Sequence, residues 1–232
     1  MTSKRNVKYW VIPPKSDATF VAAMEQTIET YQRPYDPETP VVCMDEQPVT
    51  LRADVAGRES IRETATHSKR VDYEYVRKGT ASVFMFVEPL TGFCYVNARE
   101  RRTKIDWALE VAALAKQFSH AKKIILVCDN LNTHTYGAFY EAFLPEEAAR
   151  LCNLIEIRHT PVHGSWLNIA ECELSVFSRQ CLKGRRFPMI EVLRSETHAW
   201  NEARNKRRSP VDWQFTTDDA RIKLKSIYPQ IE

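Results

Sequence analysis

Ile124-Ile125-Leu126-Val127-Cys128 is an unbroken apolar run that stops at Asp129. A run this short and this rich in β-branched side chains predicts a strand covered on both faces. That requirement constrains the fold more than any other feature of the chain. The sheet holding this strand must lie between two layers, and the strand must end where Asp129-Asn130-Leu131-Asn132-Thr133-His134 begins. A carboxylate at the end of such a strand stands at the sheet edge, where sites form, and not in the core. Two other acids have comparable settings. Asp45 follows Val41-Val42-Cys43-Met44, and Glu171 ends the string His163-Gly164-Ser165-Trp166-Leu167-Asn168-Ile169-Ala170-Glu171.

The rest of the chain supplies the layers. Residues 8–14 read as an extended, proline-stopped segment. Residues 17–32 read as a helix, since Phe20, Ala23, Met24, Ile28 and Tyr31 recur at helical spacing. Three prolines between Arg33 and Pro40 mark a linker. A core strand starts at Val41. Residues 46–79 are polar with strand-like pieces, such as the one from Val71 to Val76. Residues 80–87 and 93–96 pair as strands about the turn Pro89-Leu90-Thr91-Gly92. Residues 103–118 form a helix with Ile105, Ala108, Leu109, Ala112 and Ala115 on its apolar face. After the strand at 124–128 come a short helix at 135–143, a helix opened by Pro145, a strand at 154–157, and helices at 167–182, 189–204 and 218–225. A mixed sheet that contains a hairpin and carries helices on it is an α/β sandwich. Residues 1–40 form an N-terminal segment, helix and linker; residues 41–232 form one domain with C-terminal helices.

Composition narrows the classes. At 232 residues with 44% hydrophobic and 27% charged content, the chain supports one substantial core. No apolar run reaches the length of a membrane span and no signal-like segment opens the chain, so a cytoplasmic protein without membrane contact is expected. None of the six cysteines forms a CxxC pair, which argues against zinc. The net charge of +3 is too small to indicate a polyanion partner. Between Arg179 and Arg208, however, nine basic residues face three acids. Charge alone favours a solvated helical face there; a phosphate backbone passing the band is the alternative.

Three carboxylates on separate elements are what a pair of divalent metals requires, and paired metals serve phosphodiester chemistry. Each acid also has a plain reading. Asp45 can end a strand at a turn, Asp129 with Asn130 can form an Asx-turn, Glu171 can favour a helix N-terminus, and His134 can start a surface helix. In the helix at 167–182, Ala170, Leu174, Phe177 and Cys181 make one apolar stripe. Glu171 lies on one flank of it, and Glu173, about 200° away, on the other. The two cannot serve one site, and Glu171 is the candidate.

These strings resemble the DDE transposases of the mariner superfamily, in the bacterial branch named for insertion sequence 630. The resemblance rests on Val42-Cys43-Met44-Asp45-Glu46, Cys128-Asp129-Asn130-Leu131-Asn132-Thr133-His134 and Trp166-Leu167-Asn168-Ile169-Ala170-Glu171, and runs from about residue 40 to about residue 225. Two departures stand out. Ile169 occupies a position where the family often has proline. Forty-one residues separate Asp129 from Glu171, against about thirty-four typically, with an added helix at 143–150 accounting for the excess. The resemblance implies an RNase H-like fold and DNA cleavage and strand transfer with two Mg²⁺ or Mn²⁺ ions held by Asp45, Asp129 and Glu171. Asn130, His134, His163 and Trp166 would support the site or touch DNA, with Lys183, Arg185 and Arg186 on phosphates. Trp166 either anchors its loop or stacks on an unpaired base. The resemblance further implies pairing of element ends by a homodimer. It also implies a helix-turn-helix module from a missing N-terminal domain or a separate protein. An RNase H-like nuclease without transposition and an inactive nucleic-acid-binding domain are the competing readings.

Overall fold

The computed structural model describes residues 17–230 apart from 59, 69 and 71. The extended segment at 8–14 and the start of the strand-like piece at 71 lie outside the described residues. Five strands, β1 (Val41–Ala53), β2 (Val76–Glu88), β3 (Phe93–Arg99), β4 (Ile124–Cys128) and β5 (Ile155–His159), form one sheet in the order β3-β2-β1-β4-β5. β1, β2 and β3 are successively antiparallel, whereas β1, β4 and β5 run parallel. All five side chains of β4 are buried. This is the covered central strand that the apolar run requires.

Helices cover both faces. On one face Val42, Met44, Phe84, Phe86 and Leu126 pack against Trp107 and Val111 of α2 (Lys104–Gln117), Phe139 of α3 (Gly137–Ala142) and Leu151 of α4 (Pro145–Leu154). On the other, Val83, Met85, Val87 and Val96 meet Leu174 and Phe177 of α5 (Ile169–Phe177) and Leu193 of α6 (Ile190–Arg207). The helix expected at 143–150 is α4. It adds Ala148 and Leu151 to the first core and leads directly into β5.

Some boundaries differ from those the sequence suggests, for physical reasons. β1 and β2 extend past the sheet as a two-stranded arm, with a register shift between Leu51 and Arg52. Residues 76–80 of this arm are exposed, so no apolar pattern announces it. α2 buries Ala108, Ala112 and Ala115 of the expected face, adds Trp107, Val111 and Leu114 to it, and leaves Ile105 exposed. The helix expected at 167–182 is three pieces: a 3₁₀ turn at Ser165–Leu167, α5, and a π-turn at Ser178–Leu182. Its stripe of Ala170, Leu174, Phe177 and Cys181 is buried throughout.

Helix α1 (Ala18–Tyr31) is part of the same packed body. Phe20, Met24 and Ile28 share a core with Leu167 and with Ala220 and Leu224, around α7 (Thr217–Lys223). The Tyr31 hydroxyl donates to the Leu167 carbonyl at 2.8 Å. The proline-rich stretch before residue 40 therefore separates sequence segments, not packing units.

Candidate active site

The register of β1 against β4 brings the first two acids together. Val41, Val42 and Cys43 pair with Ile125, Leu126 and Val127. Continued by two residues, the same offset sets Asp45, inside β1 and not at its end as expected, beside Asp129, which directly follows β4. With a side-chain period of two, Asp45 shares a face with Cys43, and Asp129 with Val127. That face is where α5 docks: Ile169 and Ala170 pack with Cys43 and Val127. Glu171, exposed in the first turn of α5, follows those two contacts directly.

The start of α5 is fixed by Asn168. Its side-chain oxygen accepts from the Ala170 N–H at 3.1 Å, capping the helix. Its amide nitrogen donates to the Met44 carbonyl at 2.9 Å. Ile169 occupies the first helical position, where the N–H has no intrahelical partner, so isoleucine and proline are both tolerated there. The loop before it is tight. Gly164 has an ordinary φ, but a side chain there would clash with the Pro161 ring and carbonyl. Close approach, and not backbone freedom, is what Gly164 provides. The positive φ in this loop belongs to His163, at 64°.

Burial pushes the Asp45 carboxyl up to about 6, with the charges of Asp129, Glu171 and Glu46 adding to it and the Glu46 N–H opposing. Asp129 remains partly open, its side chain 38% exposed. His134 is not a surface residue: it is buried, stacked on Trp107 at 5.4 Å. Its Nδ1 lies 2.8 Å from Asp129 Oδ1 and its Nε2 3.1 Å from Glu46 Oε1. Burial lowers an imidazole, but contacts with Asp129, Cys128 and Glu46 outweigh it and push His134 up to about 12. His159, at the end of β5, meets the Asp129 carbonyl with Nδ1 at 3.1 Å. Glu46 and His159 escape a reading of the sequence. Glu46 stands next to the stronger candidate Asp45, and His159 meets Asp129 only through the pairing of Cys128 with His159 across the parallel strands.

The remaining expected residues divide. Asn130 is exposed beside Asp129 and lines, with His159, Thr160 and His163, a groove of about 580 Å³ closed by the first turn of α1. Trp166 is half-buried among α1 and the C-terminal residues, edge-on to Phe215 at 6.3 Å. Of the basic trio, Arg185 pairs with Glu196 at 2.6 Å and Arg186 with Asp54 at 2.7 Å. Lys183 is exposed. Glu173 points away from the acids and takes Arg204 Nη2 at 2.9 Å.

The donor set suits a hard divalent cation: carboxylate oxygens, crowded enough to raise Asp45, with no lysine or arginine among the charges acting on it. Among the described residues no three Asp, Glu, His or Cys side chains close around one point. A Mg²⁺-type ion does not require such a cage, since it takes one or two carboxylates and completes its shell with water and phosphate.

A mixed five-stranded sheet in this order, flanked by helices on both faces, is the RNase H-like fold. The chain belongs to the DDE superfamily endonuclease family, whose model matches residues 40–194. The solved structures it resembles include the mariner Mos1 paired end complex with Mg (TM-score 0.57, 14% identity, 99% of this chain and 69% of that one). Another is the Mos1 mariner paired end complex with Mn (TM-score 0.53, 16% identity, 88% of this chain and 60% of that one). A third is the Mos1 strand transfer complex (TM-score 0.55, 15% identity, 88% and 59%). The chain thus spans about 60% of the length of most of these neighbours; at such identities the likeness is one of fold. A search among curated proteins finds no match. No helix among the described residues is long and apolar enough to cross a membrane.

Proposed function

We propose that this chain is the catalytic domain of a DNA transposase of the bacterial insertion sequence 630 branch, cutting element ends and joining them to target DNA. The observation that carries this reading is the shared face of Asp45, Asp129 and Glu171: Asp45 on β1, Asp129 directly after the parallel β4, and Glu171 on the helix docked against both strands. In this reading Asp45, Asp129 and Glu171 hold two Mg²⁺ or Mn²⁺ ions. When bound, such ions supply an activated water or 3′-hydroxyl and stabilise the leaving 3′-oxygen.

The protein's own part is placement. Asp45 is half-buried and its backbone is held in register opposite Met85 of β2. His134 Nδ1 holds one oxygen of Asp129 and leaves the other toward the open side. Asn130 and His163, on the rim of the adjoining groove, face the strand that leaves the site. Lys183, exposed just past the π-turn that follows α5, would meet a phosphate of the bound strand. Arg185 and Arg186, already paired with acids, shape that end of the surface. Sequence recognition would come from a helix-turn-helix module on a preceding domain or partner, and end pairing from a homodimer.

The test is a two-stage assay with Mg²⁺ or Mn²⁺: cleavage of an element-end duplex, then joining of the freed 3′ end to a plasmid. Cleavage with joining supports a transposase. Cleavage without joining supports an RNase H-like nuclease. Neither, with DNA binding retained, supports an inactive binding domain.

A further inference from the structure

Glu46 is a buried carboxylate in the interior of a strand, and the reaction as described gives it no task. Its side chain is 2% exposed and points to the opposite face from Asp45, toward α2. One oxygen takes the Nε2–H of His134 at 3.1 Å. The other has Arg102 Nε at 3.4 Å and no hydrogen bond. Burying a charge is unfavourable unless it is paired and hydrogen-bonded. Lining the core with an acid therefore calls for a reason beyond packing.

The reason lies in the degrees of freedom of His134. Stacking on Trp107, at an interplanar angle of 27°, fixes the plane of the imidazole. Stacking does not fix which edge points where, because a half-turn of the ring about Cβ–Cγ leaves the stack unchanged. That half-turn exchanges Nδ1 with a ring carbon and removes the hydrogen bond to Asp129. An acceptor on Nε2 breaks the symmetry, since flipping then loses both bonds at once. Glu46 is well placed as that acceptor. Its backbone is held in register opposite Phe84 of β2.

We infer that Glu46 is a positioning residue: through His134 it fixes the carboxylate of Asp129 for cation binding. The inference rests on the reading of Asp129 as a metal ligand. Partners of this kind behind a ligand commonly change metal affinity ~10–100-fold when removed.

The experiment compares wild type, Glu46→Met and Glu46→Gln. Methionine fills a similar volume without accepting a strong hydrogen bond; glutamine keeps an acceptor oxygen. Two readouts are taken on the full chain: Mn²⁺ affinity from the paramagnetic resonance of free Mn²⁺, and the ring N–H protons of His134 by NMR, assigned with His134→Gln. The expected result is a slowly exchanging Nε2–H proton in wild type and in Glu46→Gln, lost in Glu46→Met. Mn²⁺ binding should weaken at least ~10-fold in Glu46→Met and stay within ~3-fold of wild type in Glu46→Gln. Wild-type affinity in a folded Glu46→Met overturns the inference. So does equal weakening in both variants, which would assign the effect to charge beside Asp45. Absence of the protected proton in wild type overturns it as well, whether or not Glu46→Met folds. Asp129→Asn separates this from the broader reading. If that variant binds Mn²⁺ normally, the ligand assignment fails; if it does not bind while Glu46→Met does, only the role of Glu46 fails.

Discussion

The Asn168 side chain donates to the Met44 carbonyl at 2.9 Å, joining residues 124 positions apart in the sequence. One flanks Asp45 and the other caps the helix that carries Glu171, so a single buried amide sets the spacing of two of the three acids. Asn168→Ala removes the cap and leaves the Met44 carbonyl unpaired. The expected loss is about 2–4 kcal/mol, measured by urea unfolding, with a weakened Mn²⁺ affinity. Mn²⁺ affinity equal to wild type would show that α5 is placed by its apolar stripe alone.

Asp45→Ala, Asp129→Ala and Glu171→Ala should each abolish metal-dependent cleavage in a supercoiled-plasmid nicking assay. Glu173→Ala should retain it. Glu173 is bonded to Arg204 on the far flank of the helix, so its loss is read as stability, roughly 1–3 kcal/mol. Activity in any of the first three variants rejects the ligand assignment.

Trp166 packs against Phe215 and the helices around it. Trp166→Ala is therefore expected to lower the melting temperature, with a loss of about 2–4 kcal/mol, and to weaken metal binding through the loop. The ratio of affinities for frayed and intact duplex ends should not change. A selective loss on frayed ends at normal stability would assign Trp166 to base stacking instead.

Gly164→Ala places a methyl group against the Pro161 ring and carbonyl. Overpacking of this sort costs about 1–3 kcal/mol. Pairing it with Pro161→Ala in a double-mutant cycle checks the cause: the clash should be largely relieved in the double variant.

DNA binding should weaken steeply with salt, because phosphate contacts release counterions. Lys183→Ala should reduce the slope of log affinity against log salt by about 1. Arg186→Ala should leave the slope nearly unchanged and lower stability, since Arg186 already holds Asp54. Equal slope changes for both would return Arg186 to the DNA surface.

The covered strand, the layered sheet, Asp129 at a strand end and Glu171 at a helix start were all legible in the sequence, but Asp45, expected at a strand end, lies inside β1, which runs on to Ala53. These are local signals: an apolar run read with period two or 3.6 names its face, and a carboxylate after such a run marks its edge. Glu171 was separable from Glu173 for the same reason, as both lie on one regular helix. Tertiary structure decided the rest. Residues 76–80 of the β1–β2 arm are exposed and leave no apolar trace. α1 joins the core through Leu167 and Ala220, contacts that span most of the chain. The burial of His134 against Trp107, and the carboxylate of Glu46 behind it, follow from the packing of α2 on β1. Neither residue differs locally from a polar side chain in a loop or at a strand end. Their partnership is fixed only when residues 88 apart in sequence come together, and such a contact is a property of the fold, not of any window of sequence.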